Sequence, residues 1–96
     1  MFVIIVKARV KPDKVELYES TFTTLRTKVL ANEPGVIFYE LSRVPDDPFA
    51  YRLVESYKDQ QTQDEHLTKD YYQEAIAVIT ECLEGGSYEM EVVETI

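Results

Sequence analysis

Residues 2–43 read FVIIVKARVKPDKVELYESTFTTLRTKVLANEPGVIFYELSR, and they hold a strand, a helix and a second strand in that order. Phe2 to Lys11 is rich in Val and Ile and free of Gly and Pro, so it is predicted to be extended. One of its faces is an unbroken apolar row of Phe2, Ile4, Val6, Ala8 and Val10. The other carries Val3 and Ile5 before Lys7 and Arg9. Both faces are therefore expected to be covered, at least in part. Pro12 and Asp13 open a helix, because a first-turn residue has no use for the N–H that proline lacks. Val15, Tyr18, Phe22, Leu25 and Val29 follow at alternating steps of three and four, which places them on one helix face. Glu33-Pro34-Gly35 ends that helix, and Val36 to Arg43 forms the second strand.

Working outward, Pro45-Asp46-Asp47-Pro48 makes a turn, so Tyr51 to Tyr57 pairs with the second strand as a hairpin. The polar segment Lys58 to Lys69 is predicted to be a short helix leading to His66. Asp70 to Leu83 is a further helix, with Tyr72, Ala75, Ile76, Ile79 and Leu83 on one face and Gly85-Gly86 after it. Ser87 to Ile96 closes the chain as a fourth strand. The order βαββαβ, with right-handed crossovers, predicts one α+β domain over residues 1–96. It has a ferredoxin-like antiparallel four-stranded sheet and both main helices on one face. The bare sheet face, apolar in part, is expected to meet a second subunit in a homodimer with the form of an α/β barrel.

The chain has 96 residues, with 18 Asp+Glu against 10 Lys+Arg and a net charge of −8. An acidic domain has no basic face to displace phosphate counterions, so neither nucleic acid nor an anionic membrane is an expected partner. The apolar run Phe2 to Val6 is too short to span a bilayer and lacks the flanks of a signal peptide, and a cytoplasmic location is expected. Cys82 is the single cysteine, which suits a reducing compartment.

With one His, one Cys and scattered carboxylates no metal motif is present, no Gly-rich phosphate loop occurs, and no cofactor is expected. His66 is the side chain whose ordinary pKa lies nearest neutrality. Spacing alone favours a surface or helix-capping histidine over a functional one. Glu55 shares a strand face with Tyr51, Leu53 and Tyr57. Either it is held in an edge ion pair with Arg52, Arg43 or Lys7, or it is kept for chemistry. Of seven Tyr and four Phe, Tyr18, Phe22 and Tyr72 fall at helix-core spacing. Tyr39, Tyr51, Tyr57, Tyr71 and Tyr88 are free to line a pocket with an apolar wall and a hydroxyl. Glu89, Glu91 and Glu94 are expected to form a solvated edge that discourages sheet-to-sheet aggregation.

Through Glu33-Pro34-Gly35, Phe38-Tyr39-Glu40-Leu41, Leu53-Val54-Glu55-Ser56-Tyr57-Lys58-Asp59 and His66-Leu67-Thr68, the sequence resembles the antibiotic biosynthesis monooxygenase family. This is a family of small dimeric α+β barrel proteins that includes cofactor-free quinol monooxygenases and the phospho-autoinducer-2 processing enzyme. The resemblance runs over nearly the whole chain and implies that Glu55 and His66 face a cavity between sheet and helices. Many members carry a second His five residues after the first, where this chain has Tyr71. The haem-degrading relatives use a strand-one Asn and a Trp that are absent here. The expected activity is a cofactor-independent monooxygenase acting on a phenolic or quinol-type molecule. His66 would be its base or orienting group, Glu55 the partner of His66, and Tyr39, Tyr51, Tyr57 and Tyr71 substrate-binding residues. Two alternatives stand beside it: an isomerase of a small carbonyl compound using His66 and Glu55, and a non-catalytic dimeric ligand-binding or stress-associated module.

Overall fold

The apolar row of the first strand becomes the middle of a sheet. A computed structural model describes the whole chain, Met1–Ile96. The elements are β1 (Phe2–Arg9), a 3₁₀ turn at Pro12–Lys14, α1 (Val15–Asn32), β2 (Val36–Arg43), β3 (Ala50–Tyr57), α2 (Gln60–His66), α3 (Asp70–Cys82), a second 3₁₀ turn at Glu84–Gly86 and β4 (Glu89–Glu94). The sheet order is β2-β3-β1-β4, antiparallel throughout, the ferredoxin-like arrangement. Strand β1 is extended over a shorter span than the sequence suggests, since Val10 already leaves it to bridge Leu83.

The helix-facing row of β1 lies against Tyr18, Phe22, Leu25 and Val29 of α1, which are buried as the periodicity requires. The core forms two clusters. One gathers Phe2, Ile4, Phe22, Leu25, Val29, Val36, Tyr39 and Tyr57; the other gathers Ala8, Val10, Tyr18, Tyr51, Cys82 and Leu83. The apolar face of α3 is only half buried because it looks onto a cavity between the two.

A register break lies between Val36 and Phe38 on β2. Strict alternation would put Val36 and Phe38 on one face, and one extra residue reverses that. Tyr39 therefore faces inward beside Val36, while Phe38 stays 48% exposed on the outer face. On that outer face the registers bring Val3, Ile5, Val54, Val93 and Phe38 together. Strand β4 is exposed along its length, with Glu89, Glu91 and Glu94 at the sheet edge. No helix is long and apolar enough to cross a membrane.

Candidate functional site

The polar segment after β3 is seated by two local devices. Asp59 caps α2, its Oδ1 accepting from the Thr62 N–H at 2.8 Å and the Thr62 hydroxyl at 2.7 Å. Gly35 lets Thr62 approach the α1–β2 turn so closely that a Cβ there would lie 2.5 Å from Thr62 Cγ2. The Lys58 N–H also donates to the Gly35 carbonyl at 2.8 Å. So anchored, α2 points its last residue inward, and His66 is 0% exposed.

This corrects the surface or capping reading of His66. Its Nδ1 lies 2.9 Å from Glu33 Oε1 and 3.2 Å from Oε2, and its Nε2 lies 3.3 Å from the Tyr39 hydroxyl. Tyr71 donates its hydroxyl to the other oxygen of Glu33. A carboxylate can only accept, so Nδ1 carries the proton, and Nε2 of the neutral ring accepts from Tyr39. Burial favours that neutral ring and holds the His66 pKa below its ordinary value, partly opposed by the charge of Glu33. The rings of Tyr39, Tyr57 and Tyr72 enclose the imidazole, with centroids at 5.4, 5.7 and 4.7 Å.

Glu55 makes no ion pair. It is 7% exposed and accepts the hydroxyl of Tyr57. Burial pushes its pKa up to about 7, although the Tyr57 bond pulls the other way. Burial and then the Glu55 charge raise the Tyr39 and Tyr57 hydroxyls well above the ordinary phenol value.

A cavity of about 250 Å³ lies between sheet and helices, and Glu55 and Gln63 are the non-aromatic polar residues of its wall. The remainder is aliphatic or aromatic, with Tyr39, Tyr72 and Phe22 inside and Tyr88 and Met90 toward the exposed strand β4. That volume suits a small ring compound rather than an extended ligand. No three His, Cys, Asp or Glu side chains converge as a metal-binding group.

Of the residues singled out from sequence, Glu55, Tyr39 and Tyr88 line the cavity, and His66 stands behind Tyr39 and Tyr72 without lining it. Tyr57 and Tyr71 sit one layer further out, each bonded to a buried carboxylate. Tyr51 stands apart, because its hydroxyl runs to Glu19 in a wider groove of about 610 Å³ between α1 and β2. In that groove Arg43 pairs with Glu19 and Arg26 with Glu40, so its charges are already matched. Tyr72, assigned to the helix core, is half buried and faces the cavity. The carboxylate that meets His66 is Glu33, where the sequence suggested Glu55. One signal could have found it: an acid at the C-cap of a helix opposes the helix dipole and calls for a partner.

The sequence profile of the family described as antibiotic biosynthesis monooxygenase matches residues 1–78, most of the chain. The chain belongs to that family. A candidate antibiotic biosynthesis monooxygenase from Caulobacter crescentus CB15 is 27% identical, covers 99% of this chain and 89% of its own, and superposes with a TM-score of 0.93. A conserved protein from Methanosarcina mazei Go1 is 25% identical, with 99% and 92% covered and a TM-score of 0.92. Another candidate family member, from Nitrosomonas europaea, is 25% identical, with 100% and 99% covered and a TM-score of 0.87. No curated protein matches the sequence. The family profile stops inside α3, so Tyr88 and Met90 at the cavity's β4 side lie beyond it.

Proposed function

We propose that this family member is a cofactor-independent monooxygenase for a small phenolic or quinol-type aromatic. The observation that carries the reading is an apolar cavity of about 250 Å³, walled by aliphatic side chains with Phe22, Tyr39 and Tyr72 among them, that has one buried carboxyl on its wall, Glu55, whose pKa of about 7 suits a base at neutral pH. An ionised phenol is electron-rich enough to reduce O₂ directly. The ring carbon forms a peroxide, its C–H is then lost as the O–O bond breaks, and a quinone and water leave. All four electrons come from the substrate, so the protein needs only to bind the ring, move protons and exclude water. Glu55 accepts a substrate proton, held in place by Tyr57. His66 orients Tyr39, and Tyr39, Tyr72 and Phe22 supply the wall.

The same reading includes a homodimer. Val3, Ile5, Val54, Val93 and Phe38 make an apolar outer sheet face, and a second copy would bury it. Light scattering should give twice the monomer mass at micromolar concentration; the monomer mass would overturn this part.

The activity is tested by following O₂ uptake by purified, metal-stripped protein with a panel of phenols and quinols. Uptake above the buffer blank, abolished by Glu55→Gln, is expected. Turnover of a small carbonyl compound under argon would instead support the isomerase. A ligand retained in native mass spectrometry with no turnover would support the binding module.

A further inference from the structure

Two protons leave a phenol on its way to a quinone, one from O–H and then one from ring C–H, and both end in the water that leaves. Glu55 is one carrier on the cavity wall, and a second chain of proton-carrying groups also reaches that wall. Tyr39 lines the cavity, its hydroxyl is 3.3 Å from His66 Nε2, His66 Nδ1 is 2.9 Å from Glu33, and Glu33 accepts from Tyr71. Tyr71 is half buried and borders an open groove of about 290 Å³ beside α1 and α3. The histidine and glutamate are wholly or nearly wholly buried, and no buried side-chain nitrogen or oxygen lacks a partner.

We propose that Tyr39, His66, Glu33 and Tyr71 form a proton path from the cavity wall to the surface groove. Tyr39 is the group that meets the substrate hydroxyl, and His66, Glu33 and Tyr71 carry the proton behind it without touching substrate. The proposal rests on the phenol reading of the cavity. On ionisation the substrate O–H proton passes to the Tyr39 oxygen as the Tyr39 proton moves to His66 Nε2. The Nδ1 proton then moves to Glu33, and the Tyr71 hydroxyl turns to accept it while giving its own proton to water in the groove. The phenolate remains in the cavity with its electron pair, and no bond other than O–H and N–H changes. The return passage protonates the peroxide and restores the Nδ1–H tautomer, so the relay is balanced over one turnover. The two proton carriers are separate: Glu55 with Tyr57 serves the ring C–H, and the Tyr39 path serves the O–H. Tyr71 occupies the place where the resemblance led one to look for a second His, and in this chain it orients a carboxylate instead.

Nitrogen-15 NMR of His66 in the free protein near neutral pH reads the tautomer directly. A protonated Nδ1 with a bare Nε2 is expected, and an Nε2–H tautomer would overturn the path because Tyr39 could not then donate. In Glu33→Gln the preference for Nδ1–H should weaken. A change confined to stability, with the tautomer intact, would assign Glu33 a packing role only. The kinetic arm uses 4-nitrophenol under argon in Glu55→Gln protein. A pH jump should ionise the bound probe, and adding Tyr39→Phe or His66→Gln should slow that step about 100-fold, the scale of a lost proton-transfer group. Tyr71→Phe should slow it several-fold with probe affinity unchanged. Equal rates in all four proteins would remove the path yet leave the monooxygenase reading standing. Absent O₂ uptake together with the expected tautomer and rates would do the reverse.

Discussion

Two tyrosines on one face of β3, Tyr51 and Tyr57, each donate a hydroxyl to a glutamate, and the two glutamates respond in opposite directions. Glu19, half exposed on α1, has its pKa lowered by the Tyr51 bond and then by Arg43. Glu55, buried under the helices, has its pKa raised to about 7 despite the equivalent bond from Tyr57. The hydrogen bond favours the charged form in both places. At the surface, water still solvates that form and the bond decides the sign. In the interior, loss of water decides it. The same contact therefore goes with a surface acid held below its ordinary value at one end of the strand and a carboxyl raised to about 7 at the other. What separates the two ends is how far each glutamate is removed from water, together with the Arg43 guanidinium that only Glu19 has beside it.

Ways of breaking this contrast follow in order of size. His66→Ala should be the most damaging, since it leaves the buried Glu33 without its nitrogen partner and Tyr39 without an acceptor. A loss of about 3 to 5 kcal/mol is expected in urea unfolding, and a loss under 1 kcal/mol would show that water replaces the imidazole freely. Next is Glu55→Gln. The wild-type carboxyl is raised in the folded state, so its contribution is present below its ordinary value and lost as pH rises through about 7. The interval from 4.5 to about 7 corresponds to about 3 kcal/mol. Relative to Glu55→Gln, the wild type should lose that much between acid and mildly alkaline pH, and parallel stability curves would remove Glu55 from the interior. His66 acts with the opposite sign: its lowered pKa gives stability present above its ordinary value and lost as pH falls. A His66→Gln protein should accordingly lose less stability on acidification than the wild type.

The smaller effects sharpen the comparison. Tyr57→Phe and Tyr51→Phe each remove one hydroxyl, at about 1 kcal/mol. By carbon-detected NMR titration both glutamate pKa values should move up, that of Glu55 further above its ordinary value and that of Glu19 back toward it. Only Tyr57→Phe should alter binding of a phenol in the cavity. The smallest effect is that of Glu19→Gln, about 0.5 kcal/mol or less once solvent screening is counted. A larger effect would mean that the Tyr51–Glu19–Arg43 group is less open to water than its exposure indicates.

Much of this was legible before folding was considered. The α1 stripe Tyr18, Phe22, Leu25 and Val29 is buried as its spacing required, β2 spans Val36–Arg43 as read, and Gly85-Gly86 follows α3. The contents of the site were less legible. Period-two alternation cannot say whether Phe38 or Tyr39 faces inward, because an extra residue at the start of β2 reverses the answer. Tyr51 and Tyr57 share a strand face, but alternation says nothing of what waits above each end of it.

By itself the sequence determined the order and kind of the elements, through hydrophobic period and turn chemistry, which act over a few residues. It also contained every group of the site. Which carboxylate meets the histidine was decided only by the tertiary structure. Glu33 and His66 are 33 residues apart, and they meet because Gly35 admits Thr62 and brings α2 down beside the end of α1. The two buried glutamates thereby take different roles: Glu33 lies within bonding distance of the imidazole, whereas Glu55 is left on the cavity wall with only Tyr57. Charge inside a protein answers to distance and loss of water, and neither quantity exists along the chain until the helices have packed on the sheet.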